Sequence, residues 1–446
     1  MLDFLLIVVF CVLGVLLGII TGLLPGLHVN NVALIMLSIS STIVAFCSPL
    51  FAFGISEQFI LILIAGFMIS VSISHSFHDT IPTTFIGAPD EETALSVLPA
   101  HSLLLKGDGY KAVALAALGS YGAILVCLAL LFPLRFIIGP PLSLYTIIQE
   151  GMIWVLLAIV ILMILTEKTR ITELGNSGML PSLLGMLFAG FVFVLSGIFG
   201  ILIFDFHLTS PIGLPAPVLF PALAGLFGVP TLLNSLFTEP AIPEQKIEPL
   251  IQNRIEKKSS LISILTGSIA GIFVSLIPGL TTATGTVLAM NARQKSSQEQ
   301  TIVTLSAVNT AATFSVTVML FIILRARSGV TLAVRDLIAI EPWDSFAMPV
   351  GLMYLLMFLI LSGVLSYFLT LYMGRLFAKK FHVIPYQKLV VFTLIFICSL
   401  VVLFAGVLGL IVLLAATSIG FLPITWGVRR SHCMGVLLIP IILYFL

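Results

Sequence analysis

Long apolar runs, separated by short polar, proline or glycine segments, recur along the whole chain. They fall at 2–20, 32–47, 58–74, 112–132, 144–166, 180–204 and 216–236, and again at 261–277, 281–291, 301–324, 346–372, 389–405, 407–426 and 433–446. A helix of about 20 apolar residues crosses the hydrocarbon core of a bilayer, so the pattern predicts an all-α, polytopic membrane bundle. The 281–291 run is too short to span alone and predicts a half-helix or re-entrant arm. Two runs end in nearly the same words. GIITGLLPGL (Gly18 to Leu27) reads against GIFVSLIPGL (Gly271 to Leu280). Each hairpin is interrupted by a Pro-Gly pair, Pro25-Gly26 in one and Pro278-Gly279 in the other. A duplicated, broken hairpin is a mark of transporters built from two repeats. The longest polar stretch, Glu239 to Ser260, lies between the copies. The predicted organisation is a first transmembrane repeat over 1–238, a polar cytoplasmic linker over 239–260 and a second repeat over 261–446.

Composition agrees with this pattern. Of 446 residues, 59% are hydrophobic and 9% charged, with a mean hydropathy of +1.22. A soluble domain carries about 25% charged residues, so lipid must solvate this surface. The net charge of +1 carries no signal for nucleic acid, and no basic patch with interleaved aromatics appears. The cysteines (Cys11, Cys47, Cys127, Cys398, Cys433) lie in or beside apolar runs without metal or redox spacing and read as packing residues. No Lys or Arg precedes the first run, so a cleaved signal peptide is not expected.

Charge then orients the chain. The linker holds Lys246, Arg254, Lys257 and Lys258; other basic clusters are Lys168/Arg170, Arg293/Lys295, Arg375/Lys379/Lys380/Lys388 and Arg429/Arg430. Placing all of them in the cytoplasm starts the first repeat outside and the second inside. Equivalent elements then run in opposite directions, the inverted topology that puts substrate near the midplane where broken helices meet.

The candidate chemistry follows from the breaks. Pro lacks an N–H and Gly loosens the helix, so backbone groups freed inside hydrocarbon need partners. His28, Asn30 and Asn31 follow the first break; Thr281, Thr282 and Thr284 follow the second. They can cap the next half-helix, or offer amides, hydroxyls and a helix N-terminus to an anion. Two further helices carry small polar faces: Gly66, Ser70, Ser74 and His78 on one, and Ser306, Asn309, Thr310, Thr313 and Thr317 on the other. Such stripes serve close packing or a ligand. Arg325, Arg327 and Arg335 follow a helix that ends outside, against the positive-inside rule. Arg335 has Asp336 and Glu341 nearby in sequence, whereas Arg325 and Arg327 are candidates for binding a carboxylate. His78 and Asp79 are candidates for coupling to H+ or Na+, as intramembrane ionisable groups are commonly functional. Glu91 and Glu92 read as a solvated loop. His75, His78 and Asp79 have only a suggestive metal spacing, and no resident cofactor or metal is expected. Walker A and nucleophile-elbow sequences are absent.

Gly22-x-x-Pro25-Gly26-Leu27, the run Gly87-Ala-Pro-Asp90, Lys106-Gly107-Asp108-Gly109-Tyr110-x-x-x-Ala114 with Gly119, and Ile277-Pro278-Gly279 together resemble the tripartite tricarboxylate transporter permease family, the large TctA-type membrane subunit. The sharp motifs cover Gly18–Asn31, Ser74–Ser120 and Gly271–Asn309. The resemblance implies ion-driven uptake of di- or tricarboxylates delivered by an extracytoplasmic solute-binding protein, with a small membrane subunit alongside. Two departures, Gly-Ala-Pro-Asp in place of the family's Asn-x-Pro-Gly turn and ILRARSGVTLAV in place of its further Pro-Gly turn, point to a divergent branch, archaeal in one reading, that works without those partners.

The expectation is a multi-pass cell-membrane permease, open to homo-oligomerisation, that moves a small organic anion by alternating access. Substrate would meet Pro25, Gly26, Asn30, Asn31, Ser74, Pro278, Gly279, Thr281, Thr282, Asn309, Thr313, Arg325 and Arg327. A membrane-embedded metal enzyme and a channel or structural subunit are the alternatives.

Overall fold

The computed structural model of the protein describes residues 2–24, 29–87, 97–167, 169, 179–206, 208–211, 218–238, 243–247, 254–277, 282–293, 297–381 and 386–446. Both Pro-Gly pairs, with His28, Thr281, Glu91 and Glu92, lie outside those residues. Among the described residues there is no strand.

Before the linker the helices are α1 (Leu2–Leu23), α2 (Val29–Ser38), α3 (Ser40–Phe46), α4 (Glu57–His78), α5 (Thr80–Phe85), α6 (Val97–Leu104) and α7 (Gly109–Ala129). They continue with α8 (Leu131–Ile138), α9 (Leu144–Glu150), α10 (Met152–Leu165), α11 (Met179–Phe204), α12 (Leu219–Leu223) and α13 (Val229–Thr238). After it come α14 (Arg254–Leu276), α15 (Thr282–Arg293), α16 (Gln298–Ile322), α17 (Gly329–Leu337), α18 (Val350–Phe381), α19 (Tyr386–Thr425) and α20 (Gly435–Phe445). Among the described residues eight helices are long and apolar enough to cross a membrane, nine if the bent α9–α10 pair is one span. The chain is a multi-pass membrane protein. The 281–291 run forms α15, whose 12 residues rise only about 18 Å, short of a full crossing.

Glycine seams set the packing at the centre. A Cβ on Gly14 would lie 2.8 Å from the Ser70 Cβ, on Gly18 2.5 Å from the Ser74 Cβ, and on Gly22 2.9 Å from the His78 Cβ. Residue i of α1 thus meets residue i + 56 of α4 three times, so the two helices run parallel with backbones in close approach. The α14–α16 pair is built alike: Gly267 faces Ala307 and Gly271 faces Ala311, both at 2.8 Å by the same measure. The outer side of α1, with Phe4, Leu5, Val9, Leu13, Leu16 and Ile20, is exposed as lipid contact requires.

Other contacts fix the remaining directions. Phe59 packs on Tyr354 and His78 on Thr370, so α4 and α18 are parallel. Lys111 pairs with Glu299 and Gly119 packs on Val303, so α7 and α16 are parallel. Arg375 lies over Tyr110 while Tyr367 packs on Tyr121, so α18 and α7 are antiparallel. Hence α1, α4 and α18 point one way, and α7, α14 and α16 the other. The pairing also crosses the linker, with α4 held against α18 and α7 against α16. Lys111, Lys257, Lys258, Arg375, Lys379, Lys380 and Lys388 gather at one end of this bundle, and Arg325, Arg327 and Arg335 at the opposite end.

Two bends depart from simple spans. At Gly151 the chain turns by 74° between α9 and α10. At Gly406 the backbone adopts φ 65°, and a Cβ on Gly409 would sit 3.1 Å from a methyl of Val401. Eight residues of straight helix would separate those positions by about 12 Å. The α19 segment is therefore sharply kinked at Gly406, where the sequence breaks it into the two runs 389–405 and 407–426.

The linker is pinned where it is described. Gln245 accepts from the Gly109 N–H (2.8 Å) at the start of α7 and donates to the Leu104 carbonyl (3.1 Å), and the Lys246 N–H reaches the Gly107 carbonyl (2.7 Å).

Candidate functional site

Two polar groups stand out in a largely apolar molecule. One lines α4. The four-residue spacing of Ser70, Ser74 and His78 puts all three on one helical face, and each is wholly buried. The Ser74 hydroxyl donates to the Val15 carbonyl across the glycine seam (2.8 Å). His78 Nδ1 lies 2.7 Å from the Ser74 carbonyl, which can only accept, so the neutral ring carries its hydrogen on Nδ1. Nε2 is then the acceptor facing the Thr370 hydroxyl at 3.3 Å. His75 Nδ1 meets the Thr21 hydroxyl at 3.1 Å, and Thr21 donates onward to the Gly18 carbonyl. Asp79 follows, 2% exposed, its carbonyl accepting from the Thr83 hydroxyl at 2.7 Å. Three helices, α1, α4 and α18, therefore close around these buried polar side chains.

The second group is cationic and lies between α16 and α17. Ser328 caps α17: its hydroxyl accepts from the Thr331 N–H (3.1 Å), while the Thr331 hydroxyl accepts from the N–H groups of Ser328 (2.9 Å) and Arg327 (3.0 Å). The cap fixes the backbone that carries Arg327. A Cβ on Gly329 would lie 2.7 Å from the Asn30 Cβ, so the starts of α2 and α17 meet. Helix N-termini present unpaired N–H groups and partial positive charge. Beside them Arg327 Nη2 donates to the Tyr145 hydroxyl (2.9 Å), whereas its Nε and Nη1 are buried with no hydrogen-bond partner. Burial pulls the Arg327 pKa below its ordinary value; Tyr145 opposes that and Arg325 adds to it. The group stays cationic at any physiological pH. No acid lies within ion-pair distance of Arg325 or Arg327 among the described residues. Arg335, by contrast, is bound by Asp336 at 3.0 Å.

The structure brings Ser74, His78 and Asp79 together, and it brings Asn30 to the Arg327 segment. Asn31 lies on α2, but its side chain is outside the described residues. Thr282 opens α15 and is buried. On α16 the Thr313 hydroxyl bonds back to the Asn309 carbonyl (3.1 Å) and Thr317 to Thr313 (3.3 Å), so these hydroxyls serve their own helix. Asn309 is 2% exposed and its Oδ1 has no partner. Neither Asn309 nor Thr313 bonds to the histidine or arginine group. No set of three or more His, Cys, Asp or Glu able to hold a metal occurs among the described residues.

Sequence reasoning missed Tyr145, Thr370 and Thr21. Each is a lone polar residue in or beside an apolar run, and only the fold shows what it faces. It also missed a buried ion cluster below α10. There Glu167 accepts from Arg429 (2.6 Å) and His432 (2.7 Å), and Arg430 donates to Thr231 and to the Phe227 carbonyl.

Comparison with known proteins places the chain in a family. The model of the Tripartite tricarboxylate transporter TctA family matches residues 8–435, nearly the whole chain. The chain is 29% identical over 444 residues, 98% of each protein, to the uncharacterized protein MJ1079 of Methanocaldococcus jannaschii. No solved structure matches. Polytopic apolar helices and this end-to-end match lead to one assignment: the chain belongs to the TctA family of tripartite tricarboxylate transporter permeases.

Proposed function

We propose that this permease is a secondary active transporter in the cell membrane, carrying a di- or tricarboxylate by alternating access between two inverted repeats. The single observation behind the binding site is the meeting of the α2 and α17 starts beside Arg327, whose Nε and Nη1 are buried without a partner. Two helix starts beside an uncompensated guanidinium offer positive charge and free guanidinium N–H donors, the complement of a carboxylate. Asn30, Asn31, Arg325 and Arg327 would hold the anion from the first hairpin's side. Pro278, Gly279, Thr281 and Thr282 would do so from the second, with Pro25, Gly26, Ser74, Asn309 and Thr313 lining the path.

The helix directions support the repeat. α1, α4 and α7 correspond in order and pairing to α14, α16 and α18, and each member runs opposite to its counterpart. Such an arrangement supplies two related conformations, one open to each side. His78 and Asp79, within the span Glu57–Phe85, are the groups proposed to couple transport to H+ or Na+. A small membrane subunit and an extracytoplasmic binding protein are the expected partners from the family's tripartite plan. The two departures in sequence favour a version in which this chain works alone.

Uptake of radiolabelled citrate and succinate into proteoliposomes tests the reading. Gradient-dependent accumulation is the expected result. No movement of either anion under sodium or proton gradients, with or without partners, would overturn it.

A further inference from the structure

Among the described residues the arginine pair is held by something other than an acid. Tyr145, on α9, is 8% exposed. Its ring centre lies 5.5 Å from the guanidinium carbon of Arg327 and 6.0 Å from that of Arg325. Its hydroxyl takes the one side-chain hydrogen bond that Arg327 makes. One aromatic side chain therefore serves two cations, and the 74° bend at Gly151 turns its helix away from α10.

Two like charges this close repel, and the usual remedy is a carboxylate between them. Here the remedy is a ring face, whose quadrupole attracts cations without carrying charge, and a neutral hydroxyl. Everywhere else among the described residues where an arginine meets an acid, the pairing is direct, as in Arg335–Asp336 and Arg429–Glu167. An acid at position 145 would bind the guanidinium groups more strongly, but it would occupy the donors and cancel the charge that an incoming anion needs. The cost of the neutral solution is visible in Arg327, two of whose nitrogens remain buried and unpartnered.

We propose that Tyr145 is the positioning residue of the anion site: it fixes Arg325 and Arg327 side by side while leaving both charges uncompensated. This rests on the organic-anion reading of the arginine pair. The ring supplies most of the hold on Arg325, and the hydroxyl adds direction to Arg327. Substitutions at 145 thus act on affinity more than on turnover.

Citrate uptake into proteoliposomes, read as KM and kcat, is the first test. Tyr145→Phe is expected to raise KM about fivefold and Tyr145→Leu more than tenfold, with kcat within about twofold of the unaltered protein. The second test does not need transport. Phenylglyoxal labelling of Arg327 in the purified full chain, followed by mass spectrometry, is expected to run at least about threefold faster in Tyr145→Leu, because the guanidinium is released from its ring and hydroxyl. Unchanged KM in both Tyr145 variants, or an unchanged labelling rate, would overturn the proposal. If Arg325→Gln and Arg327→Gln raise KM while the Tyr145 variants do not, the anion site stands and Tyr145 has no part in it. If the arginine variants also leave KM unaltered, the anion reading of the pair itself fails.

Discussion

Charged side chains in this molecule fall into those with an acid partner and those without. Arg335, Lys111 and Arg429 have one; among the described residues Arg325 and Arg327 do not. An uncompensated cation contributes little to folding, so Arg327→Gln is expected to raise the KM for the transported anion at least tenfold, roughly the worth of one charged hydrogen bond, while moving the melting temperature by less than about 2 °C. Uptake kinetics and a thermal melt on the same preparation check both parts. Glu167 is the opposite case. Burial alone would push its carboxyl up, but the hydrogen bond from His432 and the charge of Arg429 more than offset that and hold its pKa below the ordinary 4.5. Because the folded pKa is depressed, the cluster contributes its full stability above pH 4.5 and loses it as pH falls through the folded value. Below pH 4.5 the melting temperature should fall for the native chain by more than it falls for Glu167→Gln, with no such difference in slope between pH 7 and 5. That variant should already be about 3 kcal/mol less stable at pH 7, since it leaves Arg429 without its acid.

Single helices show why some features were legible and others were not. The four-residue repeat of glycines in α1 is visible in sequence, and so is the small polar face of α4; that these two faces touch is not. Gly18→Leu is expected to prevent the α1–α4 approach, because its first side-chain carbon would already stand 2.5 Å from Ser74. A loss of monodisperse protein on size exclusion is the readout, with Leu16→Ala on the lipid side as the tolerated control. The apolar runs gave nearly every long helix, since hydropathy over 20 residues is a local property. The kink at Gly406 was legible too, as a gap of one residue between two runs. Tyr145 was not, because its meaning depends on Arg327, 182 positions away. The ion cluster around Glu167 was hidden for the same reason: its members lie 262 and 265 positions apart. Short-range patterns specify elements, while a site assembled by tertiary packing leaves no spacing to count.

For the whole molecule, the sorting of basic residues to one end predicts an orientation. With that end in the cytoplasm, a cysteine replacing Ser345 should react with a membrane-impermeant maleimide on intact cells. One replacing Lys257 should react only after lysis. Reversed labelling would turn the molecule over and put Arg325 and Arg327 on the inner side.

The pairing of α4 with α18 and of α7 with α16 has a consequence for the polypeptide as a connected object. Neither the portion before the linker nor the portion after it encloses its own centre; each supplies one side of the other's interior. Covalent continuity between them is then largely redundant. A gene cut in the linker beyond Ile247 should yield two fragments that are degraded when made singly and are recovered together, at a one-to-one ratio, when made in the same cell. The unit that folds is the interlocked pair, and the linker merely ensures that both members are made at once.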